Sequence, residues 1–285
     1  MEESTLLRIP TPGGCAVNVR PGSNDSFWSL YGSGSWEPET SAVFRRFMDA
    51  QHSYIDIGAW IGPTLLLGCQ IANRAYGIEP DPIAYAELSE NIQCNRPLTN
   101  NVRLFNLCIT PVSGKVSFGS RGGGGDSTSS LLFSGEATQW SVDGVNFQDW
   151  INDNQISDCN FIKVDIEGGE YSVLPTMLTY LKKSRPTLLL ALHPCFLGDL
   201  HAQSMKVKVR NSLSRLKNTL RILSMLRFYK YCYSLKGRCP TSAYRFRLIQ
   251  FVDRIPSKGA VFFLTCLRGL VGRPHELLFT DRKWQ

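Results

Sequence analysis

The stretch YIDIGAWIG, Tyr54 to Gly62, is followed closely by YGIEPDP, Tyr76 to Pro82. Read in order, these residues spell an apolar strand, a glycine turn, a helix, a second strand and an acid at its tip. Tyr54 to Ile57 and Ala75 to Ile78 are the two strands. Thr64 to Asn73, with Leu65, Leu66, Leu67 and Ile71, reads as a buried helix between them, and Pro63 suits its first turn. Two strands joined through a helix run parallel, which commits the chain to an α/β fold. A strand ending in a glycine turn brings backbone N–H groups close to a ligand. An acid at the tip of the next strand can grip two ribose hydroxyls. Together they are a way of holding an adenosine-containing cofactor.

The rest of the chain repeats the alternation. Glu39 to Met48 and Pro82 to Cys94 read as amphipathic helices, and Val102 to Ile109 as a third strand. Gly114 to Val142 reads as a β-hairpin, with the glycine-rich RGGGGDSTSS as its mobile tip. A short helix follows at Asn146 to Ile151. FIKVD, Phe161 to Asp165, is a buried strand that ends in the charge cluster EGGE. Ser172 to Tyr180 is helical, and Thr187 to Leu192 is a fully apolar strand ending at His193-Pro194. Strands apolar on both faces imply an open, mostly parallel sheet covered by helices on both sides. Tyr229 to Ser234 and His275 to Asp281 suit an antiparallel pair closing one edge. Residues 1–35, rich in Gly, Pro, Ser and Asn, read as an irregular arm or lid. Residues 36–285 read as one domain.

The first glycine turn excludes some cofactors. A dinucleotide fingerprint needs G-x-G-x-x-G, and D-I-G-A-W-I-G places Trp60 where the backbone would hug a pyrophosphate. The glycines at 122–125 lack the Lys and Ser/Thr of a P-loop. What remains is Asp56, Gly58, Ala59 and Gly62 at the first turn, and Glu79-Pro80 at the second strand tip. An acidic first turn suits a cofactor with a cationic amino-acid end, and S-adenosylmethionine is such a molecule. Asn106 and Cys108 fall where adenine is expected. Trp36 and Glu37, just before the first strand, are placed to cover a sulfonium. Each residue also has a plainer role. Glu79 can cap the helix at Pro82, Asp56 can bond its own turn, and Trp36 can be core.

With these residues in view, the chain resembles the FkbM family of S-adenosylmethionine-dependent methyltransferases. YIDIGAWIG resembles its first motif, IEPDP its second, and IKVDIEGGE the segment after its fourth strand. The resemblance covers roughly residues 36–195 and, weakly, HELLFT. It implies a class I methyltransferase (Rossmann-like) fold with a seven-stranded sheet, and O-methylation of sugar or polyketide hydroxyls. One position departs from the family: Ala191-Leu192 stand before His193 where the family carries a glutamate.

A hydroxyl is a poor nucleophile, so a positioned base or a metal should assist its methylation. Asp165 and His193 end neighbouring strands on the crevice that Asp56 faces, and either can serve as base. Glu167 and Glu170 shape the site, or simply complement the dipole of the next helix. A divalent cation gathered by Asp165, Glu167 and His193 is the alternative; the reading taken is metal-free. Two rivals stand beside methyl transfer: a nucleotide-cofactor oxidoreductase, and a non-catalytic cofactor-binding protein on this scaffold.

Charge is divided unevenly. Residues 201–285 carry 18 Lys/Arg against 3 Asp/Glu, and residues 1–200 carry 13 against 21. The basic helical stretch 201–227 suits an anionic membrane surface or a solvated face. No nucleic-acid motif accompanies it, so no nucleic-acid partner is expected. The expected acceptor is a hydroxyl-bearing glycan or small molecule. The nine cysteines form no C-x-x-C pair, and the acidic start MEESTLLRIP lacks a secretory pattern. A cytoplasmic protein, peripheral at most to the inner membrane face, is the expectation.

Overall fold

The computed structural model describes residues 6–20, 24–120, 123–125, 127, 129–133, 138–198, 203–235 and 275–284. Its elements follow in order: β1 (Leu7–Ile9), β2 (Val17–Val19), α1 (Asp25–Gly32), α2 (Pro38–Phe47), β3 (Ser53–Ile57), α3 (Pro63–Gly68) and β4 (Arg74–Ile78). Next come α4 (Pro82–Gln93), α5 (Arg96–Thr99), β5 (Val102–Phe105), β6 (Cys108–Thr110), β7 (Gly114–Ser120), β8 (Thr138–Asn146), α6 (Phe147–Asp153) and β9 (Cys159–Val164). The chain closes with α7 (Glu170–Ser184), β10 (Thr187–Leu192), α8 (Met205–Met225), β11 (Tyr231–Ser234) and β12 (His275–Thr280).

Seven strands form the main sheet in the order β11-β12-β10-β9-β3-β4-β5. From β10 to β5 the pairings are parallel, and β12 runs antiparallel to both β10 and β11. This is the class I methyltransferase arrangement. The chain leaves β3 toward β4 and β5, then returns to β9 on the other side. The crevice where order reverses lies beyond the carboxyl ends of β3 and β9.

Side chains alternate between the two faces of each strand. Ile55, Ile57, Ile162, Val164, Leu188 and Leu190 join a core with Trp150, Met177 and Leu223. Tyr54, Phe161 and Leu189 join the other core with Phe44, Leu65 and Trp28. Asp56 and Lys163 are register partners on this second face, and both are buried. A charged pair in a position built for apolar residues marks the strand ends as more than scaffold.

Four sequence expectations need amendment. The N-terminal arm is partly ordered: β1 pairs with β2, and α1 buries Trp28 and Tyr31. The helix after Pro63 ends at Gly68, and the chain continues in tighter turns that close Gln70 on Leu67 and Ile71 on Gly68. The third strand is two. The Asn106 side chain donates to the carbonyls of Glu79 and Pro80, which turns the chain after β5. β6 then leaves for a separate sheet of order β6-β8-β7. Finally, α7 is longer than expected and holds Pro175 in its interior. The apolar run at 259–272 lies outside the described residues, and no described helix is long and apolar enough to cross a membrane.

The turn after β3 depends on one glycine. Gly58 has a φ of +87°, and a Cβ there would stand 1.8 Å from the Asp165 carbonyl oxygen. Gly34 shares a positive φ, +72°, with nothing within 4 Å. Gly58→Ala should therefore lose about 3 kcal/mol or more in urea unfolding, and Gly34→Ala only about 1 kcal/mol. Equal losses would contradict this reading of the turn.

Candidate functional site

A cleft opens at the strand ends. Gly58, Trp60, Glu79, Pro80, Asp165 and Glu167 line its polar side, with Leu107, Cys108 and Phe118 among its apolar walls. Of the residues expected at a cofactor, Gly58, Glu79 and Pro80 reach this cleft. Ala59 and Gly62 instead build the turn: the Ala59 N–H bonds the Ile78 carbonyl, and Gly62 starts α3 at a φ of +99°. Asn106 holds the β4 tip through its backbone bonds and does not line the cleft, whereas Cys108 does.

Glu79 is buried at the tip of β4. Its Oε2 accepts the Trp60 N–H at 2.8 Å and its Oε1 the Asp81 N–H at 2.8 Å. The helix-capping role falls to Asp81, whose Oδ1 accepts from Ile83 N–H at 2.8 Å and Ala84 N–H at 3.3 Å. Glu79 is thereby left to face the cleft. Burial pushes its carboxyl up to about 8, so its ionised form needs more donors than two amides.

The glycine run is tied down where it is described. Asp81 Oδ2 accepts from Gly125 N–H at 2.9 Å and from the Ser129 hydroxyl at 2.7 Å. The Trp60 indole N–H donates to the Gly125 carbonyl at 2.9 Å. The expected mobile tip is thus anchored to both halves of the cofactor motif.

Beneath the cleft runs a chain of charges. The Lys163 ammonium donates to Asp165 Oδ2 at 3.1 Å and stands 3.7 Å from Asp56 Oδ1. Burial alone would lower its pKa, but Asp165, Asp56 and Glu37 outweigh burial and raise it. Burial also raises Asp56, whose Oδ2 accepts from the Thr64 hydroxyl at 2.7 Å while Oδ1 has no hydrogen bond. Asp56 therefore bonds neither its own turn nor the cleft surface. Glu37 starts α2 at a φ of +41°, and burial followed by the Asp165 charge pushes it up to about 8. Trp36 packs on Phe27, ring centroids 5.3 Å apart, rather than standing free over the cleft.

The EGGE loop closes on itself. Glu170 Oε1 accepts from Ile166 N–H at 3.1 Å and Oε2 from Gly168 N–H at 3.0 Å. Glu170 Oε1 also meets His193 Nδ1 at 2.9 Å. His193 Nε2 stands 3.7 Å from Asp165 Oδ1 and 3.6 Å from Glu167 Oε2. Burial would lower His193, but the Glu170 bond and the three surrounding acids lift it to about 9. At neutral pH it is an imidazolium paired with carboxylates, and so a poor base. Asp165, which burial would raise, is lowered by Lys163 and His193. Glu167 lines the cleft, and burial pushes it up to about 7. Asp165, Glu170 and His193 offer donor atoms within 4.8 Å of one another, the spacing of a metal site. Glu170, however, is already engaged by two amides and the imidazole.

Strain gathers at this site. Among the described residues five non-glycines have positive φ, and Glu37, Trp60 and Glu167 are three of them. Such conformations concentrate where function holds them. The sequence reading gave no role to Lys163, Trp60 or Asp81. A lysine inside FIKVD was the available signal, because an unpaired lysine does not sit in a buried strand. It also left the glutamate missing at Ala191 unreplaced. In the ladder Ala191 pairs with Glu276 of β12, and the Glu276 charge helps raise Glu37. A carboxylate thus arrives at that end of the sheet from the neighbouring strand.

The family model for the methyltransferase FkbM domain matches residues 56–231. The chain belongs to the FkbM methyltransferase family. Among solved structures it is similar to an FkbM methyltransferase from Methylobacillus flagellatus KT, with 19% identity and a TM-score of 0.42 over 76% of this chain. It spans about half, 52%, of that protein. It is also similar to a precorrin-6y C5,15-methyltransferase from Geobacter metallireducens GS-15, at 12% identity and TM-score 0.37, covering 70% of this chain and 72% of the other. A dimethyladenosine transferase from Plasmodium falciparum follows at 10% identity and TM-score 0.37, covering 70% and 52%. No curated protein matches the chain.

The pKa of His193 carries a stability prediction for this FkbM-family chain. Its folded value, about 9, lies above the ordinary 6.5, so its contribution is complete below 6.5 and lost as pH rises through 9. Denaturant unfolding should show about 3 kcal/mol less stability above that window than below it, and His193→Gln should remove this part of the slope. An unchanged slope would place the titration elsewhere.

Proposed function

We propose that this chain transfers a methyl group from S-adenosylmethionine to a hydroxyl, with a sugar of a glycolipid, polysaccharide or secondary metabolite as the acceptor. The observation that carries the reading is the charge of the crevice. Asp165, Asp56 and Glu37 surround Lys163, Glu170, Asp165 and Glu167 surround His193, and Glu79 and Glu167 line the cleft. A ligand with a cationic end would favour the ionised form of these raised carboxyls and a pyrophosphate would oppose it, which disfavours the nucleotide-cofactor oxidoreductase. The donors present fit the cofactor. Glu79 would take the ribose hydroxyls, with Gly58, Asp165 and Glu167 lining the same cleft.

When bound, S-adenosylmethionine supplies a methyl already activated on a sulfonium. The protein's own task is alignment and proton handling. His193, held by Glu170, fixes Asp165 and Glu167 through their charges. Of these two acids, Glu167 has the affinity to accept a proton near neutral pH, and it lines the cleft. Asp165, tied to Lys163, positions the acceptor hydroxyl.

Calorimetry and kinetics test the proposal. S-adenosylmethionine should bind and NADPH should not, and Glu79→Ala should weaken binding at least about tenfold. Glu167→Gln should keep the cofactor affinity yet lower kcat about a hundredfold or more, and should remove a rise in kcat centred near pH 7. Binding of NADPH in preference to S-adenosylmethionine would overturn the cofactor. A fully active Glu167→Gln would overturn the base. Mass spectrometry of glycans from cells with and without the protein should find the acceptor heavier by one CH₂ where the protein is present.

A further inference from the structure

Helix α8 carries six Lys or Arg and no acid along its 21 residues. Its C-terminal half is ordinary core: Leu216, Thr219, Ile222 and Leu223 are buried. The N-terminal half is different. Val209 and Leu213 are 43% and 49% exposed, one turn apart, although they continue the apolar pattern. At 100° per residue, Val209, Leu213, Lys217, Arg210 and Arg221 fall within one outward arc of about 120°. Two exposed aliphatics edged by three exposed cations make an amphipathic face that nothing described in this chain covers.

Two contacts show where that face stands. The Tyr171 hydroxyl, in the first turn of α7, meets the Thr219 hydroxyl at 3.0 Å, and Arg185, just past the end of α7, reaches the Phe228 carbonyl. The two helices therefore run in the same direction. α7 starts at the carboxyl ends of the strands, level with the cleft. Leu213 and Val209 precede Thr219 by six and ten residues, so they project about 9 and 15 Å further out on the cleft side. Arg215 anchors this overhang by donating to the Leu197 carbonyl at 2.7 Å, just beyond His193. Leu132, 44% exposed, adds an exposed aliphatic beside Gly168 of the EGGE loop.

We propose that the outward face of α8, built from Val209, Arg210, Leu213, Lys217 and Arg221, docks the protein onto an anionic phospholipid surface with the catalytic cleft turned toward it. The cations meet lipid phosphates, and the two aliphatics enter the headgroup boundary. Charge complementarity selects the sign of the surface. The exposed Val209 and Leu213 select a lipid interface over a nucleic acid, which gives aliphatic side chains little to bury against. A solvated basic face would need no exposed aliphatics beside its cations. The overhang gives the docking a purpose, because an acceptor hydroxyl held at a bilayer surface would be delivered to the cleft mouth. That purpose rests on the methyl-transfer reading; the adsorption does not.

The test is co-sedimentation of the full chain with vesicles of two parts phosphatidylcholine to one part phosphatidylglycerol, in low and high salt. Wild-type protein should bind these vesicles, ignore pure phosphatidylcholine, and release in high salt. Arg210→Glu with Lys217→Glu should cut binding at least about tenfold. Val209→Ser with Leu213→Ser should cut it several-fold at unchanged net charge. Circular dichroism and S-adenosylmethionine affinity, both expected to match wild type, show that the variants fold. Three results would overturn the proposal: no binding by wild-type protein, binding indifferent to both variants, or loss on charge reversal alone with equal retention by a single-stranded RNA. Because vesicle binding needs no turnover, a failure here leaves the methyl-transfer reading intact, and the reverse holds as well.

Discussion

One buried lysine organises the cleft end of this fold. Lys163 points from β9 into a face otherwise filled by aromatic and aliphatic side chains, and Asp56 is its register partner on β3. A buried ammonium is costly unless carboxylates surround it. Asp56, Asp165 and Glu37 do so, which fixes three chain segments with respect to one another: the end of β3, the exit from β9 and the start of α2. The close approach of Gly58 to the Asp165 backbone then becomes a consequence rather than a coincidence. The EGGE loop starts from Asp165, folds around Glu170 and presents Glu167 to the cleft.

Acid in excess follows from the same arrangement. Among the described residues the carboxyls around Lys163 and His193 outnumber these two basic groups. Burial is the main cause that raises Glu37, Glu79 and Glu167, and neighbouring acids add to it. A cationic ligand relieves this excess of acid, whereas an anionic one worsens it. The electrostatics thus point to the same cofactor class as the missing middle glycine of the first turn.

Much of this was legible in the sequence. The βαβ unit, the tip position of Glu79, the adjacency of Asp165 and His193 and the antiparallel edge all follow from apolar runs and their punctuation. What was not legible has local causes. Asn106 splits a continuous apolar run by bonding two carbonyls of another loop, and no pattern within that run reports it. Helix α3 stops early although its apolar pattern continues beyond Gly68. Trp60 looked like an intrusion in a glycine motif. Its place depends on a strained backbone, an acceptor on Glu79 and a partner at Gly125, and two of these lie far along the chain. The change of charge from His193 as base to His193 as paired imidazolium depends on Glu170 folding back, which spacing alone does not reveal.

The whole cluster depends on Lys163 being a cation inside the protein. Its side-chain resonances can be followed by NMR as pH is raised. The Lys163 ammonium should remain charged at the ordinary lysine value of 10.5. Titration of Lys163 near or below neutrality would contradict it, because an uncharged amine could not hold Asp56 and Asp165 in place.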